Sequence, residues 1–173
     1  MNKKYTLSQI AAIYTVYKDL DVGTRTVNCC TCGKSIHIEQ IEDCYNYYGH
    51  YIARSKEPKL KYHPGNTFAQ CVTCNMDTSY KVEEKYTKYI IKRFGEDYID
   101  RLLSYPVRDN NFYYRYYLDE LHRLSETFPE LKNVVNACDK SYNLSKSSDI
   151  EELNDIIKQW NTFSRTYKQD LNY

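Results

Sequence analysis

Apolar residues recur at helical spacing from the start of the chain. Ile10, Ile13, Tyr14, Tyr17 and Leu20 share one face of a helix predicted over 6–20. Thr6 and Gln9 have the spacing of a capping box, and Gly23 follows the helix end. The pattern then changes. Residues 27–74 show no long helical period and hold six of the seven cysteines and three of the four histidines, which predicts a compact, loop-rich unit of short strands. From Asn75 the helical period returns. Val82, Tyr86, Tyr89, Ile90 and Phe94 predict a helix ending near Gly95, and Tyr98, Ile99, Leu102 and Leu103 a short one ending before Pro106. Tyr117, Leu121, Leu124 and Phe128 mark a helix over 111–128. Leu131, Val134, Val135 and Cys138 mark another after Pro129. Beyond a polar linker at 141–148, Leu153, Ile156, Ile157, Trp160, Phe163 and Tyr167 predict a last helix, capped by Ser148 against Glu151. The expected class is α+β: an N-terminal helix (1–26), a small mixed core (27–105) and a helical C-terminal region (106–173).

The loop-rich unit is too small to hold itself together by apolar burial, so a metal staple is expected. Cys29 and Cys32 form one CxxC pair, and Cys71 and Cys74 another. Each pair places two thiolates on one face of a tight turn, and two pairs supply the four ligands of a closed, structural zinc site. Gly33 follows the first pair, where the turn needs positive φ. Cys30 could compete with Cys29, while Cys44 and Cys138 read as buried free thiols. An odd cysteine count in a chain with no recognisable export signal argues against a disulfide framework.

Charge and hydropathy narrow the picture little. No run of 18 apolar residues exists, so no membrane span is expected, and a cytoplasmic location is the default. The net charge of +1 does not announce nucleic-acid binding by itself, although residues 1–105 carry 15 Lys/Arg against 12 Asp/Glu. The 20 tyrosines could stack on unpaired bases, but their helical spacing favours packing.

The 38 residues between the CxxC pairs carry the chemistry. Here lie Gly49-His50-Tyr51-Ile52-Ala53-Arg54, then a basic run with Lys56, Lys59 and Lys61, then Asn66, and the second pair leads straight into Asn75. A zinc staple would thus bring together one strand-borne histidine, one loop asparagine and one asparagine expected at a helix start.

In CysThrCysGly at 30–33, GlyHisTyrIleAlaArg at 49–54, LeuLysTyr at 60–62, Asn66, GlnCysValThrCysAsn at 70–75 and Arg93-Phe94-Gly95, the chain resembles the HNH nuclease superfamily. More narrowly it resembles the NinG/Rap recombination nucleases of lambda-type phages, over about 27–105. The resemblance implies a treble-clef, ββα-metal core and a DNA endonuclease acting on branched recombination intermediates, in the host cytoplasm if the chain is phage-encoded. His50 would be the general base, with a pKa expected near neutrality. Asn66 would hold the loop and orient His50, and Asn75 would offer its carboxamide oxygen to a catalytic Mg²⁺ or Mn²⁺. Arg54, Lys56, Lys59 and Lys61 would hold DNA phosphates, and the C-terminal helices would contact DNA arms or form a homodimer interface. Many HNH enzymes carry an acidic metal ligand just before the base, whereas this chain has Gly49. Asp43, Asn46, His63 and Asp77 are candidates for the second ligand.

Each residue also has a plainer reading. Alone, His50 would be a structural histidine, Asn66 a turn residue, Asn75 a helix N-cap and the basic run a solvated loop. His37 and His122 read as surface or packing residues. The competing functions are a treble-clef zinc module that binds nucleic acid without cutting it, and a protein-interaction adaptor using the tyrosine-rich helices.

Overall fold

The computed structural model describes residues 5–138. The predicted linker at 141–148 and the last predicted helix lie outside the described residues. Helix α1 spans Leu7–Tyr17, shorter than the expected 6–20 because its end relaxes into turns before Leu20. The capping box forms: the Thr6 N–H donates to Gln9 Oε1 at 2.9 Å and the Gln9 N–H to Thr6 Oγ1 at 3.3 Å. The loop-rich unit then folds as two antiparallel hairpins. Strands β1 (Thr26–Asn28) and β2 (Ser35–His37) pair with Val27 opposite Ile36, both turned inward. Strands β3 (Tyr48–His50) and β4 (Thr67–Ala69) pair with Gly49 opposite Phe68 and His50 opposite Thr67. Helices α2 (Val72–Met76), α3 (Tyr80–Phe94), α4 (Tyr98–Ser104), α5 (Asn110–Leu124) and α6 (Leu131–Ala137) complete the order. The result is an α+β arrangement with two small sheets.

Two apolar clusters organise it. In the larger, Ile10, Ile13, Tyr14 and Tyr17 of α1 pack with Tyr113, Tyr116, Tyr117 and Leu121 of α5, with α6, and with Val27 and Ile36 of the first hairpin. Both ends of the described chain therefore meet over the segment that carries the CxxC pairs. The smaller cluster seats Tyr86 and Ile90 of α3 and Tyr98 and Leu102 of α4 against Leu60 and Phe68. Leu103, expected on the buried face of α4, is exposed instead, because Tyr98 and Leu102 take the face turned into this cluster.

Most of the described tyrosines pack, as their spacing implies: Tyr14, Tyr17, Tyr48, Tyr86, Tyr98, Tyr105, Tyr113, Tyr114, Tyr116 and Tyr117 are all buried. Several bury the ring while the hydroxyl donates to the carbonyl of an irregular segment, which would otherwise lack a partner away from water. Tyr117 reaches the Tyr62 carbonyl and Tyr98 the Gly65 carbonyl, both at 2.7 Å. Lys18, at the end of α1, works in the same way: its buried ammonium donates to the Thr67 carbonyl at 2.9 Å and lies over the Phe68 ring. Burial brings its pKa down to about 8. The 58–69 segment behind β3 is thus gripped from α1, α4 and α5.

One element departs from the sequence reading. Asn75 does not start a helix. It sits inside the short α2, its N–H bonded to the Cys71 carbonyl at 2.8 Å, and Cys71 occupies the N-cap. The chain then breaks at 77–79, and α3 begins separately after Ser79. The break has a local cause: the Asp77 carboxylate accepts the Ser79 N–H at 2.8 Å, a side chain-to-backbone turn that competes with helix continuation.

Candidate metal centre and active-site cleft

The first CxxC pair lies in the turn between β1 and β2, and the second begins at the exit of β4. Two backbone bonds close this turn, Cys29 N–H to the Lys34 carbonyl (2.8 Å) and Gly33 N–H to the Cys29 carbonyl (2.9 Å), and Gly33 takes φ 72°. The Cys30 N–H donates to the Ala69 carbonyl at 2.9 Å, docking the turn on β4. As a result, the sulfurs of Cys29, Cys32, Cys71 and Cys74 all lie within 4.8 Å of one another, with Cys32 and Cys71 at 3.8 Å. Four thiolates ~2.3 Å from a tetrahedral zinc ion stand about 3.8 Å apart, so the cluster fits a structural metal ion such as zinc. The Cys29 sulfur accepts the Cys71 N–H at 3.3 Å. Burial opposes ionisation of Cys29, but the N–H groups of Cys71, Cys32 and Thr31 prevail and bring its thiol down to about 7, whereas burial and the neighbouring sulfurs raise the thiols of Cys71 and Cys74, as sharing one charge among close thiols requires. Cys30 is no competitor: it turns away among Phe68 and Tyr86, and burial pushes its thiol up to about 12.

A cleft of about 790 Å³ opens beside this cluster. His50 and the 51–56 loop form one side, α2 and the first turns of α3 the other, and Gln70 and Cys74 also line it. His50 and Asn75 therefore share one cleft. His50 is partly buried, its ring 4.5 Å from that of Tyr48, and its Nε2 lies 2.9 Å from the Lys61 carbonyl. A carbonyl only accepts, so Nε2 carries the proton and Nδ1 keeps the basic lone pair. The expectation of a near-neutral pKa fails. Burial lowers it to about 4, helped by the nearby Arg54 and Lys61 cations and opposed by the Lys61 carbonyl.

Asn66 is fully buried. Its Oδ1 accepts the Ile52 N–H at 2.8 Å, and its Nδ2 donates to the Ile52 and Leu60 carbonyls at 2.9 and 3.2 Å. It pins the loop that follows His50, but the bond to His50 itself comes from Lys61 rather than Asn66. The basic run divides. Arg54 and Lys56 line the cleft, with Lys56 3.7 Å from Glu83. Lys59 turns away to the Leu103 carbonyl at 2.6 Å, and the Lys61 ammonium lies over the Tyr62 ring.

The candidate second ligands divide as well. His63 is fully buried, its Nδ1 accepting the Gly65 N–H at 3.1 Å and its ring 4.2 Å from Tyr105. Burial brings its pKa down to about 3, and it does not reach the cleft among the described lining residues. Asp43 caps a 3-10 turn over Ile41–Tyr47 through the Gln40 N–H, and Asn46 lies in the same turn, away from the cleft lining. Only Asp77 lines the cleft. The sequence reading passed over Gln70, which lies buried between β4 and Cys71 and lines the same cleft. Gln70 opens the GlnCysValThrCysAsn motif beside the second cysteine pair, but a glutamine has no ligand spacing that would mark a role of its own.

Fold and site define a small α+β protein with a four-cysteine cluster that could hold a metal ion, set beside a histidine-bearing cleft. The family model described as "Bacteriophage Lambda NinG protein" matches residues 3–140, and the chain belongs to the NinG family. The match extends past 27–105 to take in α1, α5 and α6, the helices that share the larger apolar cluster. No curated protein and no solved structure gives a match. Among the described residues, no helix is long and apolar enough to cross a membrane.

Proposed function

We propose that the protein is a metal-dependent DNA endonuclease of the HNH type, acting on branched DNA formed in recombination. The observation that carries this reading is the polarised His50: its Nε2 proton is committed to the Lys61 carbonyl, and the ring lines a cleft shared with Asn75, Arg54 and Lys56. In this reading the two hairpins and α2 are a treble clef, and β3, β4 and α2 are the ββα-metal element.

His50 takes a proton from the attacking water through Nδ1, and the Lys61 carbonyl stabilises the imidazolium that results. Arg54 and Lys56 hold the flanking phosphates; a backbone reader of this kind suits branched DNA, whose signature is shape rather than sequence. Asn66 keeps the 50–52 segment in place, and Asn75 offers a hard oxygen ligand to Mg²⁺ or Mn²⁺. When bound, such an ion stabilises charge on the scissile phosphate and the leaving 3′ oxygen. The zinc holds α2 and Asn75 across from β3. The C-terminal region would contact DNA arms or a second copy, in the cytoplasm of a host cell.

The test is cleavage of linear, forked and four-way DNA by zinc-loaded protein with Mg²⁺ and with Mn²⁺. Junction cutting is expected, and His50→Ala should lose roughly a hundredfold or more of the rate with DNA binding and zinc content intact. The absence of an acidic side chain at Gly49 favours a second reading, a zinc module that binds nucleic acid without cutting it. Salt-dependent DNA binding with no cutting under any of these conditions would select that reading.

A further inference from the structure

Gln70 is built into the protein at every point but one. Its N–H donates to the Tyr47 carbonyl at 3.0 Å, extending the pairing of β3 with β4. Its Nε2 donates to Thr31 Oγ1 at 2.8 Å, which fixes the carboxamide against the zinc-pair turn. The residue is 3% exposed, yet it lines the cleft with His50, Cys74 and Asn75. Its Oε1 makes no hydrogen bond among the described residues. The adjacent strand shows why that oxygen lies where it does. A Cβ at Gly49 would stand 2.5 Å from Gln70 Oε1 and 2.7 Å from its Cβ. The space beside His50 that a side chain at 49 would fill is therefore occupied by the Gln70 carboxamide, and only glycine permits it.

A carbonyl oxygen held in place on a cleft wall, with no donor among the described residues, is a ready ligand for an electropositive guest. We propose that Gln70 Oε1 is a ligand of the divalent cation required by the endonuclease reading, on which this inference rests, and that it shares the ion with Asn75. A neutral amide oxygen is a hard donor of the kind Mg²⁺ and Mn²⁺ take. A DNA phosphate could not replace the ion at this atom, because both are acceptors. Asp77 is the weaker candidate: it is exposed, and one of its oxygens is committed to the Ser79 N–H. Two neutral protein ligands leave the charge of the ion uncompensated, so the phosphate of bound DNA completes the site, and ion and DNA bind together.

The test follows Mn²⁺ binding by the paramagnetic resonance of the free ion. It uses zinc-loaded, full-length His50→Ala protein as parent, with and without a four-way DNA junction. The parent should take up Mn²⁺ with DNA and only weakly without it. Gln70→Leu should weaken uptake by at least about tenfold, the loss seen when even a residue supporting a metal ligand is removed, with zinc content unchanged. Gln70→Glu keeps the shape, can accept a hydrogen bond from the Thr31 hydroxyl, and adds charge, so it should tighten Mn²⁺ and allow uptake without DNA. Asp77→Asn should weaken uptake far less than Gln70→Leu does. Equal affinities in the parent and Gln70→Leu would overturn the proposal. So would a Gln70→Glu protein that binds no more tightly, the outcome expected of a purely structural glutamine. So, too, would a parent that takes up no Mn²⁺ in the presence of DNA. Failure of the endonuclease reading shows separately, as wild-type protein that leaves every DNA substrate uncut.

Discussion

His50 illustrates how a single side chain is tuned by its surroundings. A free histidine is half protonated near pH ~6.5 and would lose its base form in mild acid. In the fold, burial and two neighbouring cations lower the pKa to about 4. Lowering the pKa of a base extends its active, unprotonated form to lower pH, so the sign is protective. Single-turnover DNA cutting at saturating Mg²⁺ should be nearly flat between about pH 5.5 and 7.5, whereas a base titrating near 6.5 would lose about tenfold across that range. A limb centred near 6.5 would mean that His50 is exposed during turnover or is not the base. In the proposed mechanism the same burial makes His50 a weak base in absolute terms, which would leave more of the barrier to the metal ion and the phosphate contacts.

At the scale of elements, α2 carries the decisive geometry. It is a single short helix between Cys71 and Asp77, and Asn75 lies exposed within it. Because Cys71 holds the N-cap, truncating Asn75 removes no cap and costs no cap energy. Asn75→Ala should therefore leave the melting temperature unchanged or slightly raised, since alanine favours helix by up to ~0.7 kcal/mol, while cutting falls sharply. Calorimetry and single-turnover cleavage on one preparation decide the point; full activity would remove Asn75 from the metal site and leave Gln70 and Asp77. The helix itself was legible only in part. The CxxC spacing implies a tight turn, but the break at 77–79 depends on the Asp77 carboxylate choosing the Ser79 N–H, a local competition that hydrophobic periodicity does not register. For the same reason Asn75 read as a helix start when it is a helix interior.

At the scale of the molecule, the four-cysteine cluster ties together the first hairpin and the exit of β4, which also meet through the Cys30–Ala69 backbone bond, the Gln70–Thr31 bond and the larger apolar cluster. Cys29 and Cys32 belong to the first hairpin, Cys71 and Cys74 to the exit of β4 and to α2. Removing one thiolate leaves a gap in the tetrahedron, and such sites supply folding free energy directly. Cys71→Ser should lose zinc, raise the protease sensitivity of 27–79 and abolish DNA cutting. The α1–α5 cluster, which rests on apolar burial, should keep most of its helical circular dichroism. A Cys71→Ser protein that melts like wild type would show that the four sulfurs do not hold a metal in solution. The two apolar clusters divide the work: one anchors β3 and β4 from behind through α1 and α5, the other seats α3 and α4 against the loop at 58–66.

Periodicity and spacing alone were enough to locate α1 with its cap, the helices α3 to α6, the tyrosine-rich core and the four-cysteine cluster. All of these depend on contacts close in sequence, or on a ligand type so distinctive that its spacing reveals it. Tertiary structure decided what depends on direction in space. It turned Cys30 inward and left Cys29 in the four-sulfur cluster, sent Lys59 away from the cleft, and buried His63 against Tyr105. It also replaced Asn66 by the Lys61 carbonyl as the partner of His50 and set Gln70 in the space that Gly49 leaves open. Which way a side chain faces in an irregular loop has no period to read. It is settled when two hairpins, brought together at the four-cysteine cluster and gripped by distant tyrosines and Lys18, fix the backbone around it.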